Sequence, residues 1–295
     1  MSKKHPIVAV TGSSGAGTTS VRNTFEDIFS LQGISASIVE GDSFHKYNRE
    51  EMRKLVDEWE RTAGRGISHF GPEANLFKEL EALFKNYGKR GEGVSRIYLH
   101  NEDRASQHRQ KPGTFTTWQN IPKNSDLMFY EGLHGGMVDK NIDIASNVDL
   151  LIGVTPTINL EWIQKINRDI NSRGHSIEAI TNTILRRMDD YVNYIVPQFS
   201  RTHINFQRVP IVDTSNPFDY FKIPEEEESL LVIKFNQRIN TVEYQDIIAK
   251  IPAFMSRQDT IVIPGTRGSD AMKILLAPRI KTLVEVGRIL RKKSS

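Results

Sequence analysis

The 295-residue chain contains no cysteine, which excludes disulfides, thiolate metal sites, cysteine nucleophiles and thiol redox switches. No apolar stretch approaches the roughly 18 residues that a membrane span requires. The opening MSKKHP leads into the first apolar run without a signal-peptide core. These absences predict a cytoplasmic protein with no membrane partner. Net charge is only +3 and no repeat of basic and aromatic residues occurs, which argues against a nucleic-acid partner. No internal repeat or low-complexity linker divides the sequence, so residues 1–295 read as a single domain.

What is present begins with GSSGAGTTS at residues 12–20, directly after an apolar run at 7–10. The pattern G-x-x-x-x-G-K-[ST] is a phosphate cradle, in which glycines let backbone N–H groups turn toward phosphate oxygens and the last hydroxyl ligates Mg²⁺. Gly12 and Gly17 keep the spacing and Gly15 adds a flexible point, but Thr18 stands where the pattern has lysine. Val21, Phe25, Ile28 and Phe29 then recur at helical spacing up to Gly33. A helix starting here aims its free N–H groups and positive dipole end at the loop. A plain glycine turn would explain the composition but not this order of strand, loop and helix.

A second strand over 34–39 ends at Glu40, Gly41 and Asp42, and further strands are expected at 127–130, 150–154, 209–212, 230–235 and 261–263. Helices are expected over 52–59, 160–170, 177–195 and 272–290. The alternation predicts an α/β fold, a doubly wound and mostly parallel sheet of the P-loop nucleotide-kinase type. Between 61 and 125 the apolar pattern weakens except over 76–84, which predicts a lid or insertion near the ligand face.

Ligands of such sheets lie beyond the carboxyl ends of the strands. Asp42 is there, trailed by His45, Lys46, Arg49 and Arg53. The set reads either as a capped helix with a solvated face or as a site for a phosphorylated alcohol. In the second case the cations hold its phosphate and Asp42 accepts the proton of the attacking hydroxyl. Glu131 ends the strand LMFYEG, where P-loop proteins hold Mg²⁺ and where a solvent-facing acid is the simpler reading. Lys165, Arg168 and Asp169 share one helix face, with Arg173 a turn later. That face is an exposed salt-bridged stripe or the source of the cation that Thr18 does not supply.

The segment KINRDINSRGHSIE at 165–178 matches K-[LIVM]-x-R-D-x-x-x-R-G-x-[ST]-x-[EA], the signature of the phosphoribulokinase family, at every fixed position. The chain resembles that family over about residues 6–215. The resemblance implies transfer of the ATP γ-phosphoryl group to the 1-hydroxyl of D-ribulose 5-phosphate, giving the 1,5-bisphosphate of the Calvin cycle. It implies that Gly12, Ser13, Ser14, Gly15, Ala16, Gly17, Thr18, Thr19 and Ser20 bind ATP, with Thr19 and Glu131 on Mg²⁺. It also implies Asp42 as general base, with His45, Arg49, Lys165, Arg168 and Arg173 meeting the sugar phosphate or the transferring phosphoryl group. Asp169 matches a family acid that serves metal or orientation. Ala16 stands where the plant enzymes carry a regulatory cysteine, so the chain is similar to the bacterial class, which implies an octamer activated by NADH and inhibited by AMP. Arg187, Lys234 and Arg257 are candidate effector contacts, with surface charge as the simpler reading. The alternatives are a kinase for uridine or pantothenate, which has less need of His45, Arg49 and Arg168, and a nucleotide-binding switch without turnover.

Overall fold

The computed structural model describes residues 4–12, 18–62, 66–219, 221–237 and 241–293, leaving out the side chains of 18–20, 172–173 and 241–244. Among them the main-sheet strands are β1 (Ile7–Gly12), β2 (Ala36–Glu40), β3 (Leu127–Gly132), β4 (Leu150–Val154), β5 (Ile204–Pro210), β6 (Ser229–Phe235), β7 (Met255–Ser256) and β8 (Thr260–Pro264). The longer helices are α1 (Thr18–Gln32), α2 (Arg49–Thr62), α3 (Phe77–Arg90), α4 (Glu102–Gln107), α5 (Ile158–Arg173), α6 (Ile177–Arg186), α7 (Thr241–Lys250) and α8 (Gly268–Lys292).

In space the strands run β7-β8-β6-β5-β4-β1-β3-β2 as one sheet of eight. From β2 to β5 the pairing is parallel, and β6, β8 and β7 extend it antiparallel. The chain leaves β1 for the edge at β2, returns beside β1 as β3, then crosses to its other side as β4. The carboxyl end of β1 is therefore a switch point in strand order, the place where open α/β sheets bind ligands.

Successive strand residues face opposite sides, and both sides are covered. Val8, Val10, Phe129 and Ile152 pack against Phe25 and Ile28 of α1 and Leu275, Leu276 and Ile280 of α8. Ile7, Ala9, Met128, Tyr130 and Leu151 pack against Leu80, Phe84 and Tyr87 of α3. Burial on both faces is why these strands read as unbroken apolar runs. It also places α3, from the weakly patterned stretch 61–125, in the core.

Several boundaries differ from the sequence reading. β5 begins at Ile204 rather than 209, because buried Ile204 and Phe206 alternate with half-exposed Asn205, Gln207 and Arg208 and so break the apolar run. β2 begins at Ala36, since Ile34 closes the end of α1 by donating its N–H to the Phe29 carbonyl at 2.9 Å. The expected helix over 177–195 ends at Arg186 and resumes at Met188–Asp190, passing into a π-turn at Tyr191–Ile195. α7 and β7 add elements beyond the predicted set.

Candidate active site

β1 ends at Gly12, where a Cβ would lie 2.7 Å from the Val154 carbonyl oxygen of β4, so only glycine lets the strands approach. Ser13, Ser14, Gly15, Ala16 and Gly17 lie outside the described residues, as do the side chains of Thr18, Thr19, Ser20 and Arg173. α1 starts at Thr18, so its N-terminus follows the loop as the sequence predicts.

Asp42 sits beyond the end of β2 in a single 3-10 turn, Gly41–Phe44. Imidazoles approach it from two sides: His45 Nε2 is 3.5 Å from one carboxylate oxygen and His100 Nε2 is 3.3 Å from the other. His45 is 6% exposed and stacks on His69 with ring centroids 3.9 Å apart. Burial, followed by the charges of His134, His100 and Arg96, lowers its pKa from 6.5 to about 3. His134, buried with Nε2 3.0 Å from the Phe70 carbonyl oxygen, is lowered to about 4, chiefly by burial. His45 is therefore a neutral hydrogen-bonding group near pH 7, which corrects its place in the basic set read from sequence. Arg49 is exposed and donates from Nη2 to the His100 carbonyl at 2.7 Å.

The Asp42 turn is fastened from several directions. The Leu76 N–H donates to the Phe44 carbonyl and the Lys46 N–H to the Ala74 carbonyl, both at 2.8 Å. Arg96 donates from Nε to the Ser43 carbonyl at 2.9 Å and from Nη2 to the His45 carbonyl at 2.6 Å. Its guanidinium carbon lies 3.6 Å from the Phe115 ring centre and 4.7 Å from that of Trp118.

Glu131, half-buried on β3, pairs in register with Val10 of β1 and Glu40 of β2. The backbones carrying Asp42 and Glu131 touch. A Cβ on Gly41 would lie 2.8 Å from the Gly132 Cα, and one on Gly132 would lie 2.7 Å from the Gly41 Cα.

On α5, Lys165 pairs with Asp169, and Arg168 Nε reaches the other Asp169 oxygen at 3.0 Å. Lys165 is 7% exposed and Asp169 3%, so this face is not a solvated stripe. Ile180 and Ile184 of α6 pack on Ile166 of α5, bringing the α6 end and Arg187 against it. Arg187 Nη2 lies 3.5 Å from Glu161 Oε1, and its guanidinium lies over Phe70 at 4.5 Å. Arg187 is thus an interior cation, not the surface charge expected from sequence. Burial first, then Arg187, lowers the Lys165 pKa from 10.5 to about 8, against the pull of Asp169. His69, stacked on His45, adjoins Phe70, over whose ring Arg187 lies, and so links the two halves of the site.

Sequence reasoning did not single out His69, His100, His134 or Arg96. The one signal for the three histidines was their recurrence between residues 45 and 134, since the spacing follows no helical or strand period, and nothing in the sequence marked Arg96. For a metal, Asp42 and Glu131 present hard oxygen donors, and Thr19 stands at the hydroxyl position of the loop. Among the described residues no group of three or more His, Cys, Asp or Glu side chains converges to hold an ion. A Mg²⁺ bound together with substrate phosphates needs only one or two carboxylates of the protein.

Comparison with known proteins bears directly on this site. A family model described as the Phosphoribulokinase / Uridine kinase family matches residues 7–215. The chromosomal phosphoribulokinase of Cupriavidus necator is 54% identical over 97% of this chain and 98% of that protein. The phosphoribulokinase of Nitrobacter vulgaris is 52% identical over the same shares of each chain, 97% and 98%. The solved phosphoribulokinase from Rhodobacter spheroides superposes with a TM-score of 0.88 at 46% identity, covering 97% of this chain and 100% of that one.

Proposed function

The chain belongs to the phosphoribulokinase and uridine kinase family, and from that premise we infer that it phosphorylates D-ribulose 5-phosphate at the expense of ATP to give D-ribulose 1,5-bisphosphate. It is an enzyme of the phosphotransferase class. The observation that supports the chemistry is Asp42, held just beyond the carboxyl end of β2 and approached by His45 and His100.

In this reading Asp42 is the general base. The 1-hydroxyl oxygen attacks the γ-phosphorus, the bond from that phosphorus to the β,γ-bridging oxygen breaks, and the hydroxyl proton passes to an Asp42 carboxylate oxygen. ADP departs with the electron pair of the broken bond. His45, neutral, hydrogen-bonds the acceptor, while Arg49, Arg168 and Arg173 supply the charge that its existing phosphate requires. Lys165 and Arg168 neutralise the transferring phosphoryl group in place of the loop lysine, and Asp169 orients Lys165 through their ion pair. Mg²⁺ held by Glu131 and Thr19 would screen the phosphate charges. Residues 1–295 act as one kinase domain, in which the parts of 61–125 flanking α3 wall the acceptor side as a lid while α3 itself belongs to the core. Activation by NADH, inhibition by AMP, an octameric assembly and a cytoplasmic location complete the proposal, supported by the sequence resemblance. Among the described residues no helix is long and apolar enough to cross a membrane.

The test is ADP release with Mg²⁺ and ATP, comparing ribulose 5-phosphate with uridine, pantothenate and no acceptor. Turnover is expected with ribulose 5-phosphate alone. ADP production independent of the acceptor would overturn the assignment, and turnover with uridine would move it to the neighbouring activity.

A further inference from the structure

The turn bearing Asp42 is short, and short 3-10 segments are weakly held by their own hydrogen bonds. At its C-terminal end the His45 N–H donates to the Asp42 carbonyl at 3.2 Å. The carbonyls at its end need outside donors, as at any helix terminus. For Ser43 and His45 one side chain supplies them: Arg96, which spans both carbonyls with Nε and Nη2 at 2.9 and 2.6 Å. The guanidinium in turn lies over the rings of Phe115 and Trp118, its carbon 3.6 and 4.7 Å from their centres. Trp118 also sets its ring edge-on against Phe44, inside the same turn, with centroids 5.5 Å apart. A planar fork packed against two rings can hold two carbonyls at a fixed spacing. An ammonium on a flexible stem cannot.

We propose that Arg96 is a positioning residue of the phosphoryl-transfer step: it clamps the backbone on either side of Phe44 and so fixes the direction in which Asp42 presents its carboxylate to the acceptor hydroxyl. Arg96 touches no reacting atom. Its guanidinium spans two main-chain carbonyls of the Asp42 turn, whereas Arg49 donates to the carbonyl of His100 and Arg168 to Asp169. The proposal rests on Asp42 as general base, and the experiment distinguishes the failure of one from the failure of the other.

The experiment is a mutant cycle of Arg96→Ala and Asp42→Asn in the full chain, read as kcat and as separate KM values for ATP and ribulose 5-phosphate. A general base displaced by about 1 Å costs on the order of 10²-fold, so Arg96→Ala is expected to lower kcat by about that factor with the KM for ATP unchanged. In the Asp42→Asn background the same change should cost less than about threefold, because the group it positions has already gone. Arg96→Lys, which keeps charge and length and is the variant to read if Arg96→Ala does not fold, should stay at least about tenfold below the parent. A kcat within about threefold of the parent in Arg96→Ala, full recovery in Arg96→Lys, or additive losses would each overturn the role given to Arg96. If Asp42→Asn alone leaves kcat within about tenfold of the parent, the general-base reading falls, and the Arg96 role with it.

Discussion

Lys165 is nearly buried on α5, and burial with help from Arg187 lowers its pKa from 10.5 to about 8. The ammonium is the form that can neutralise a phosphoryl group, so the charge is fully present well below pH 8 and is lost as pH rises through it. kcat/KM should therefore fall on the alkaline side with an apparent pKa of about 8. Lys165→Arg, whose guanidinium stays charged in this range, should move that limb out of reach even if its absolute rate is lower. A pH–rate profile measures both, and a parent profile flat to pH 10 would remove Lys165 from the role. Histidines behave in the opposite way here. His45 and His134, with pKa values near 3 and 4, hold their neutral form across the working range, so neither should contribute a limb near neutrality.

The elements meet through Glu40, the last residue of β2. It accepts Arg104 of α4 at 2.8 and 3.0 Å and Arg22 of α1 at 2.9 Å. Burial pushes its pKa up, but the hydrogen bonds from Arg104 and Arg22 outweigh it and bring the value from 4.5 down to about 2. The stabilisation is fully present above pH 4.5 and is lost as pH falls toward about 2. Glu40→Gln should lower stability at neutral pH and flatten its acid dependence in that window, measured by urea unfolding at a series of pH values. An unchanged slope would show that the network adds nothing. These contacts also mark what the sequence could and could not reveal. The end of β1 and the start of α1, the position of Asp42 after β2 and the shared helix face of Lys165 and Asp169 were legible because each depends on residues close in the chain. Arg96, His69, His100 and Glu40 with Arg104 were not, because irregular backbone between 61 and 125 brings them in over long separations that leave no period. The burial of Arg187 was hidden for a related reason: the packing of α6 on α5 decides it, and helix spacing alone does not.

For the whole molecule, the aromatic cluster between β3 and α1 holds sheet and helix together. Phe129 of β3 lies 4.6 Å from Phe25 and 5.5 Å from Phe29 of α1, ring centre to ring centre, and is 1% exposed. Phe129→Ala should cost about 3–5 kcal/mol, the usual range for emptying a packed aromatic site. Urea denaturation checks it, and a loss under about 1 kcal/mol would mean that the core closes over the gap. The same sheet governs how the site can change. Because Gly41 and Gly132 meet backbone to backbone, the strand ends carrying Asp42 and Glu131 cannot be drawn closer, and any side chain introduced at either position would wedge them apart. In the proposed reading the molecule thus carries a fixed gauge for the depth of its reaction centre, and variation falls to the segments 66–70 and 97–101, which carry His69 and His100. A lineage adapting to a longer or shorter acceptor would have to rewrite those segments and leave the paired glycines alone.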